Sequence, residues 1–125
     1  MNPLQQLLLS AGSHAPLGTW IMSASPLVTE AMGHAGFQWG VIDMEHTPLD
    51  MMEVIHLLQA VGNTKMVPIV RVPWNDTVTI KRVLDVGAHA TQDLVDFLGD
   101  GPPGPSAFGG LYEISPVIDP LNWFL

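Results

Sequence analysis

The chain has no cysteine. Disulfides, thiolate zinc sites and thiol nucleophiles are therefore excluded. Positive charge is almost as scarce. The 125 residues carry four Lys and Arg against 12 Asp and Glu, for a formal net charge of -8. All four bases (Lys65, Arg71, Lys81 and Arg82) lie in one stretch of the chain. A nucleic-acid partner requires a broad basic face, so none is expected. No window approaches the ~20 apolar residues of a membrane span. The N-terminus lacks the basic region and apolar run of a signal peptide. These absences lead to the expectation of a soluble, cytoplasmic protein with no membrane partner.

What is present is apolar. Hydrophobic residues make up 47% and charged residues 13%, which is enough to build the core of one ordinary domain. The organising stretch is Trp39 to Pro48, WGVIDMEHTP. It runs apolar to Asp43 and then breaks with Glu45, His46 and Pro48. A second stretch of this shape, Lys65 to Asp76, is apolar until Arg71 and then turns through Pro73 and Asn75. Two buried strands that end in charged residues are where an α/β fold keeps its chemistry.

The pattern around them alternates. Pro3 to Ala11 reads as a short helix with Leu4, Leu7 and Leu8 on one face and Gly12 as its stop. Leu17 to Ala24 reads as a strand. Ser25-Pro26 opens a helix with Leu27, Ala31 and Met32 inward, ended by Gly33 and Gly36. After the strand Trp39 to Asp43, Asp50 caps a helix carrying Met51, Ile55, Leu58 and Val61, closed by Gly62. After the strand Lys65 to Val72, Asp76 caps a helix with Ile80, Val83 and Leu84, stopped by Gly87. Strands alternating with helices imply a parallel sheet.

Beyond Ala88 no fourth apolar strand is expected. Residues 89–125 read as a Gly/Pro-rich tail: from Gly99 to Leu125, ten of 27 residues are Gly or Pro.

Several side chains qualify for chemistry, each with a plainer alternative. His46 beside Asp43 and Glu45 suits a general base oriented by a carboxylate, and equally a surface histidine in a turn. Asp43 and Glu45 also suit a hard cation. Arg71 suits two-point recognition of a carboxylate or an oxyanion, and equally an edge cation reaching solvent. Asp85 lies late in a helix, where the dipole disfavours it, and Lys81 stands four residues earlier. Trp20 and Trp74 near strand ends suit packing more than recognition.

Five stretches then fit one family together. Leu17-Gly18-Thr19-Trp20, Gly36-Phe37-Gln38-Trp39, Ile42 to Pro48 (IDMEHTP), Val70 to Asp76 (VRVPWND) and Ile80 to Ala88 (IKRVLDVGA) resemble, in order and spacing, the HpcH/HpaI aldolases. The resemblance spans about residues 4–88. It implies an α/β fold, the N-terminal part of a (β/α)8 TIM barrel with about three β-α units, over residues 1–88. It implies metal-dependent cleavage of 4-hydroxy-2-oxo acids to pyruvate and an aldehyde. By that resemblance His46 would be the base-side imidazole, paired with Asp85 across the barrel mouth. Arg71 would hold pyruvate and stabilise the enolate, with Trp20 beside the substrate and Glu45 and Asp43 supporting from behind. The divalent ion would be Mg²⁺, Mn²⁺ or Co²⁺. Its ligands, a Glu and an Asp of later strands, have no counterpart in this chain, and Glu113 and Asp119 lie in the wrong contexts. A family-type homo-oligomer is implied. Because a barrel takes ~250 residues, the pattern lost after Ala88 leads to the expectation of a truncated or frame-shifted reading. The alternative to a lyase is a non-catalytic piece, inert or binding partner subunits.

Overall fold

The computed structural model describes residues 2–92 and 111–113. Helix α1 (Pro3–Ser10) leads into strand β1 (Gly18–Ile21), followed by α2 (Pro26–His34), β2 (Trp39–Asp43), α3 (Met51–Gly62), β3 (Val67–Arg71) and α4 (Thr77–Asp85). Two short strands follow, β4 (Ala90–Gln92) and β5 (Leu111–Glu113). Strands β1 to β4 pair parallel and in chain order. A doubly wound sheet reverses its strand order at a switch point, whereas a barrel does not. The sequential order is therefore that of a TIM-barrel wall.

Each helix starts where its capping chemistry dictates. Ser25 accepts a hydrogen bond from the Val28 amide, and Asp76 accepts one from that of Thr79. Asp50 and Glu53 form a reciprocal capping box on α3. Strand β2 has the expected limits. Strands β1 and β3 are shorter than Leu17–Ala24 and Lys65–Val72.

The sheet has two unlike faces. On one side Ile21, Ile42, Val70 and Val72 join Val54, Leu57, Val61, Ile80 and Val83 of the helices in the main core. Each of these side chains contributes roughly 1.5–3 kcal/mol by leaving water. On the other side Val41 and Ile69, paired in register, are covered by Leu4 of α1. Side chains alternate along a strand, so Asp43 and Arg71 share this second face, which is the inside of a barrel.

Three expectations are corrected. The inner face of α2 is not Leu27 and Ala31, which are exposed; Thr29 is buried there, with Met32 half-buried against the core. Thr29 tolerates burial because its hydroxyl donates to the Ser25 carbonyl at 3.0 Å. Gly33 does not end α2 but lies within it, where a Cβ would overlap Thr64.

The third correction is the fourth strand. Strand β4 exists, pairing Ile69 with Ala90 and Arg71 with Gln92. It escaped the pattern because it is three residues long and reads Ala-Thr-Gln. Its Thr91 is fully buried beside Val70. Strand β5 lies antiparallel against β4, so over those residues the outer edge of β4 is paired. Most of the 89–125 tail lies outside the described residues.

Candidate active site

The carboxyl ends of β2 and β3 come together because Asp43 and Arg71 are register partners, the last residues of their strands. The guanidinium is seated on the carboxylate at two points. Nε donates to Asp43 Oδ1 at 2.9 Å and Nη2 donates to Oδ2 at 2.5 Å. Both groups are buried: Asp43 is 0% exposed and Arg71 8%. The reading of Arg71 as a cation reaching for solvent is therefore overturned.

Asp43 also shapes the turn that follows it. Its Oδ1 accepts the amides of Glu45 at 2.9 Å and His46 at 3.2 Å. Burial alone would raise the Asp43 carboxyl. The Arg71 hydrogen bonds, the two amides and the Arg71 charge outweigh it and hold the group below its ordinary value. The Asp43 hydrogen bonds likewise raise Arg71, against its burial.

The other sides of Arg71 are set by Trp20 and Glu45. The guanidinium carbon lies 4.4 Å from the Trp20 ring centroid, a cation–π contact. Trp20 is on the same sheet face because it is level with Val41. Glu45 Oε2 stands 3.4 Å from Arg71 Nε, and its Oε1 stands 3.7 Å from His46 Nε2. A guanidinium has five N–H donors, and Asp43 takes two. The remaining edge of Arg71 has no protein acceptor among the described residues, and it suits a ligand carboxylate or oxyanion.

His46 itself is open to solvent, its side chain 56% exposed, and Glu45 Oε1 is the carboxylate oxygen facing its ring. The expected pairing of His46 with Asp85 is not formed within the chain. Helix α4 runs back from the carboxyl end of the sheet to its amino end. There the Ala88 amide bonds the Val83 carbonyl and the His89 amide bonds that of Pro68, near the start of β3. Asp85 ends α4, exposed, with Lys81 at 4.0 Å. Trp74 is exposed on the loop before α4.

The described residues do not fit a divalent ion. Asp43 spends both oxygens on Arg71 and two amides, which leaves one nearby carboxylate, Glu45, whose Oε2 is buried against Arg71. Such ions take six or more oxygen ligands or keep waters around several carboxylates. Among the described residues no three His, Asp or Glu side chains form a metal-holding group. No helix there is long and apolar enough to cross a membrane.

What the sequence reading missed is the Asp43–Arg71 pair. That reading places Asp43 and Glu45 beside His46, pairs His46 with Asp85 by resemblance, and gives Arg71 a ligand or solvent rather than Asp43 as its partner. The available signal was that two neighbouring strands each end in one charged residue, of opposite sign.

A parallel βα wall with a buried, carboxylate-seated arginine at its carboxyl end has the layout of a TIM-barrel wall, in which the candidate site lies at the strand ends. Residues 17–92 match the HpcH/HpaI aldolase/citrate lyase family, and the chain belongs to that family. The match continues past Ala88 to take in β4. The chain is 51% identical over 84 residues to the 2-dehydro-3,6-dideoxy-6-sulfogluconate aldolase of Pseudomonas putida, covering 67% of this chain and 32% of that protein. It is 46% identical over 79 residues to a 5-keto-4-deoxy-D-glucarate aldolase of Salmonella arizonae, covering 63% and 31%. The chain thus spans about a third of the length of the curated relatives it matches. Among solved structures, an HpcH/HpaI aldolase/citrate lyase family protein of Burkholderia cenocepacia superposes with a TM-score of 0.67 at 31% identity, over 92% of this chain and 49% of that one. The citrate synthase SbnG gives 0.67 at 29%, over 72% and 36%.

Proposed function

We propose that this chain carries the pyruvate-binding and base-side part of a carbon–carbon lyase site for retro-aldol cleavage of a 4-hydroxy-2-oxo acid. The observation that carries the reading is Arg71, buried and held by Asp43 and Trp20 with one donor edge left over. A cation so seated costs no reorganisation when charge develops on a substrate oxygen. In this reading the free edge of Arg71 binds the 2-oxo acid end. His46 takes the proton of the 4-hydroxyl as the C3–C4 bond breaks, and the electrons of that bond pass to the C2 oxygen as an enolate beside Arg71. Proton return to C3 yields pyruvate. Trp20 forms the floor under the guanidinium. The relatives named as sugar-acid aldolases support a substrate of that class.

The family's divalent ion, Mg²⁺, Mn²⁺ or Co²⁺, takes no step here, since the residues described do not fit it. Asp85 lies at the far end of α4, so it would meet a His46 ring only from another copy of the chain. That is the form in which the pairing stays in the proposal, together with a family-type homo-oligomer.

A second reading is favoured by the carboxylates beside His46 both being drawn to Arg71, Asp43 at two points and Glu45 through its Oε2: the chain is non-catalytic and binds further subunits. Assaying pyruvate release from a 4-hydroxy-2-oxo acid with added Mg²⁺, Mn²⁺ or Co²⁺ separates the two. Turnover abolished in His46→Ala supports the lyase. A folded chain without turnover under every metal supports the second reading.

A further inference from the structure

The amino end of the sheet carries a cavity of its own, of about 670 Å³. That is within the size range of small-molecule sites. It lies between α1, the carboxyl ends of α2 and α3, and the residues that lead into β2 and β3. Asp43 and Arg71 stand at the other end of those strands, roughly 13 Å away at about 3.3 Å per residue.

Leu7 and Phe37 give the cavity an apolar wall, and Gln38, Asn63 and Lys65 give it donors. Among the described residues no Asp or Glu lines it, although the chain holds 12 carboxylates against four bases. Gln38 accepts the Leu17 amide through Oε1 at 3.0 Å, so its side-chain NH₂ is the group left for the cavity. Arg71 is paired with Asp43 and Lys81 with Asp85, whereas Lys65 has no carboxylate partner among the described residues. His34 also lines the cavity, but its Nε2 faces Glu30 Oε1 at 3.6 Å. Lys65 is thus the uncommitted cation. The ends of α2 and α3 bring partial negative charge here, yet their last carbonyls are spent on caps. The Ala35 and Gly36 amides bond the Ala31 and Gly33 carbonyls, and the Asn63 and Thr64 amides bond those of Ala60 and Val61. The backbone is bare at Gly62, where nothing lies within 4 Å of an added Cβ.

We propose that this cavity is a second binding site, for a small carboxylic acid with an apolar body. The carboxylate meets Lys65 and the side-chain NH₂ groups of Gln38 and Asn63, and the body lies against Leu7 and Phe37. A bond from an ammonium to a carboxylate is about twice as strong as one between neutral groups, so a neutral ligand of the same shape is disfavoured. A bare inorganic anion leaves the apolar wall unused. The site is independent of the reading of Arg71 and His46 as lyase residues.

Titration of the full chain with benzoate, followed by ¹⁵N–¹H NMR at neutral pH, tests the proposal. Saturable shifts are expected at the Gly62, Asn63 and Lys65 amides. Lys65→Gln is expected to weaken the Kd about tenfold, the loss of one charge-assisted bond, and Lys65→Arg to restore most of it. Lys65 is exposed, so both variants are expected to keep the fold, which the dispersion of their spectra checks. Benzamide, the neutral counterpart, is expected to give no saturable shift. Shifts that grow linearly without saturation overturn the proposal, and so do equal benzoate affinities in the wild type and Lys65→Gln. Equal binding of benzamide overturns it too, since the cavity would then have no preference for an anion. Shifts confined to Asp43, Glu45, His46 and Arg71 also overturn it, because they place benzoate at the carboxyl ends of the strands.

Discussion

Asp43 and Arg71 end neighbouring parallel strands, 28 residues apart in sequence and joined by two hydrogen bonds of 2.9 and 2.5 Å. The pair is closed off from water. It organises the site in two directions at once: the carboxylate fixes the turn bearing Glu45 and His46, and the guanidinium receives one fixed orientation over Trp20.

Breaking that pair from one side leaves a buried charge alone. Asp43→Leu and Arg71→Met are each expected to destabilise the chain by about 3–5 kcal/mol. The double variant is expected to be more stable than either single one, because no charge is then stranded. Urea denaturation of the four proteins checks this. Additive losses in the double variant would show that the pair has no energetic coupling.

The same pair predicts an acid limb. The Asp43 carboxyl is lowered in the fold, since the Arg71 bonds and two amides outweigh its burial. As the pH drops, the unfolded chain therefore takes up this proton first. The stabilisation is complete above the ordinary aspartate value and is lost as the pH falls through the lowered folded one. Urea midpoints between about pH 5 and pH 2 should fall in the wild type. In Asp43→Asn the limb is expected to be shallower, from a lower starting stability.

Gly18 is a packing requirement. The Trp39 indole lies across it, anchored by its Nε1 donating to the Pro16 carbonyl at 3.0 Å. Gly18→Ala is expected to displace the ring and cost about 1–3 kcal/mol, read by thermal melting and by a shift in tryptophan fluorescence. An unchanged melt would mean that the indole moves aside freely.

Arg71→Lys tests geometry at constant charge. Lysine cannot hold Asp43 at two points and present a second edge to a ligand. Pyruvate affinity is expected to fall about tenfold or more, the loss of one charge-assisted bond, with the chain still folded by circular dichroism. Calorimetric titration with pyruvate measures it, and equal affinities would remove Arg71 from the proposed site.

Local chemistry was readable along the chain. Ser25, Asp50 and Asp76 announced their helices, and their side chains make the capping bonds. Strand β2 ended where its apolar run ended. Strand β4 was not readable, because a three-residue Ala-Thr-Gln strand is defined by its pairing with β3 and not by a pattern of its own. The face of α2 was misread for a related reason. Close approach to Thr64 selects Gly33, and a satisfied hydroxyl lets Thr29 go inside, so hydrophobicity did not decide.

The sequence by itself determined the alternation of strands and helices, the helix starts and the family, since these depend on neighbours a few residues apart and on motif order. Only the tertiary structure decided the partners of the charged groups. Register set Asp43 opposite Arg71, and the turn behind it set Glu45 between Arg71 and His46. The antiparallel run of α4 against its strands carried Asp85 to the other end. Charge pairing depends on distances of a few ångströms between segments far apart in the chain, and no spacing along a single strand or helix contains that information.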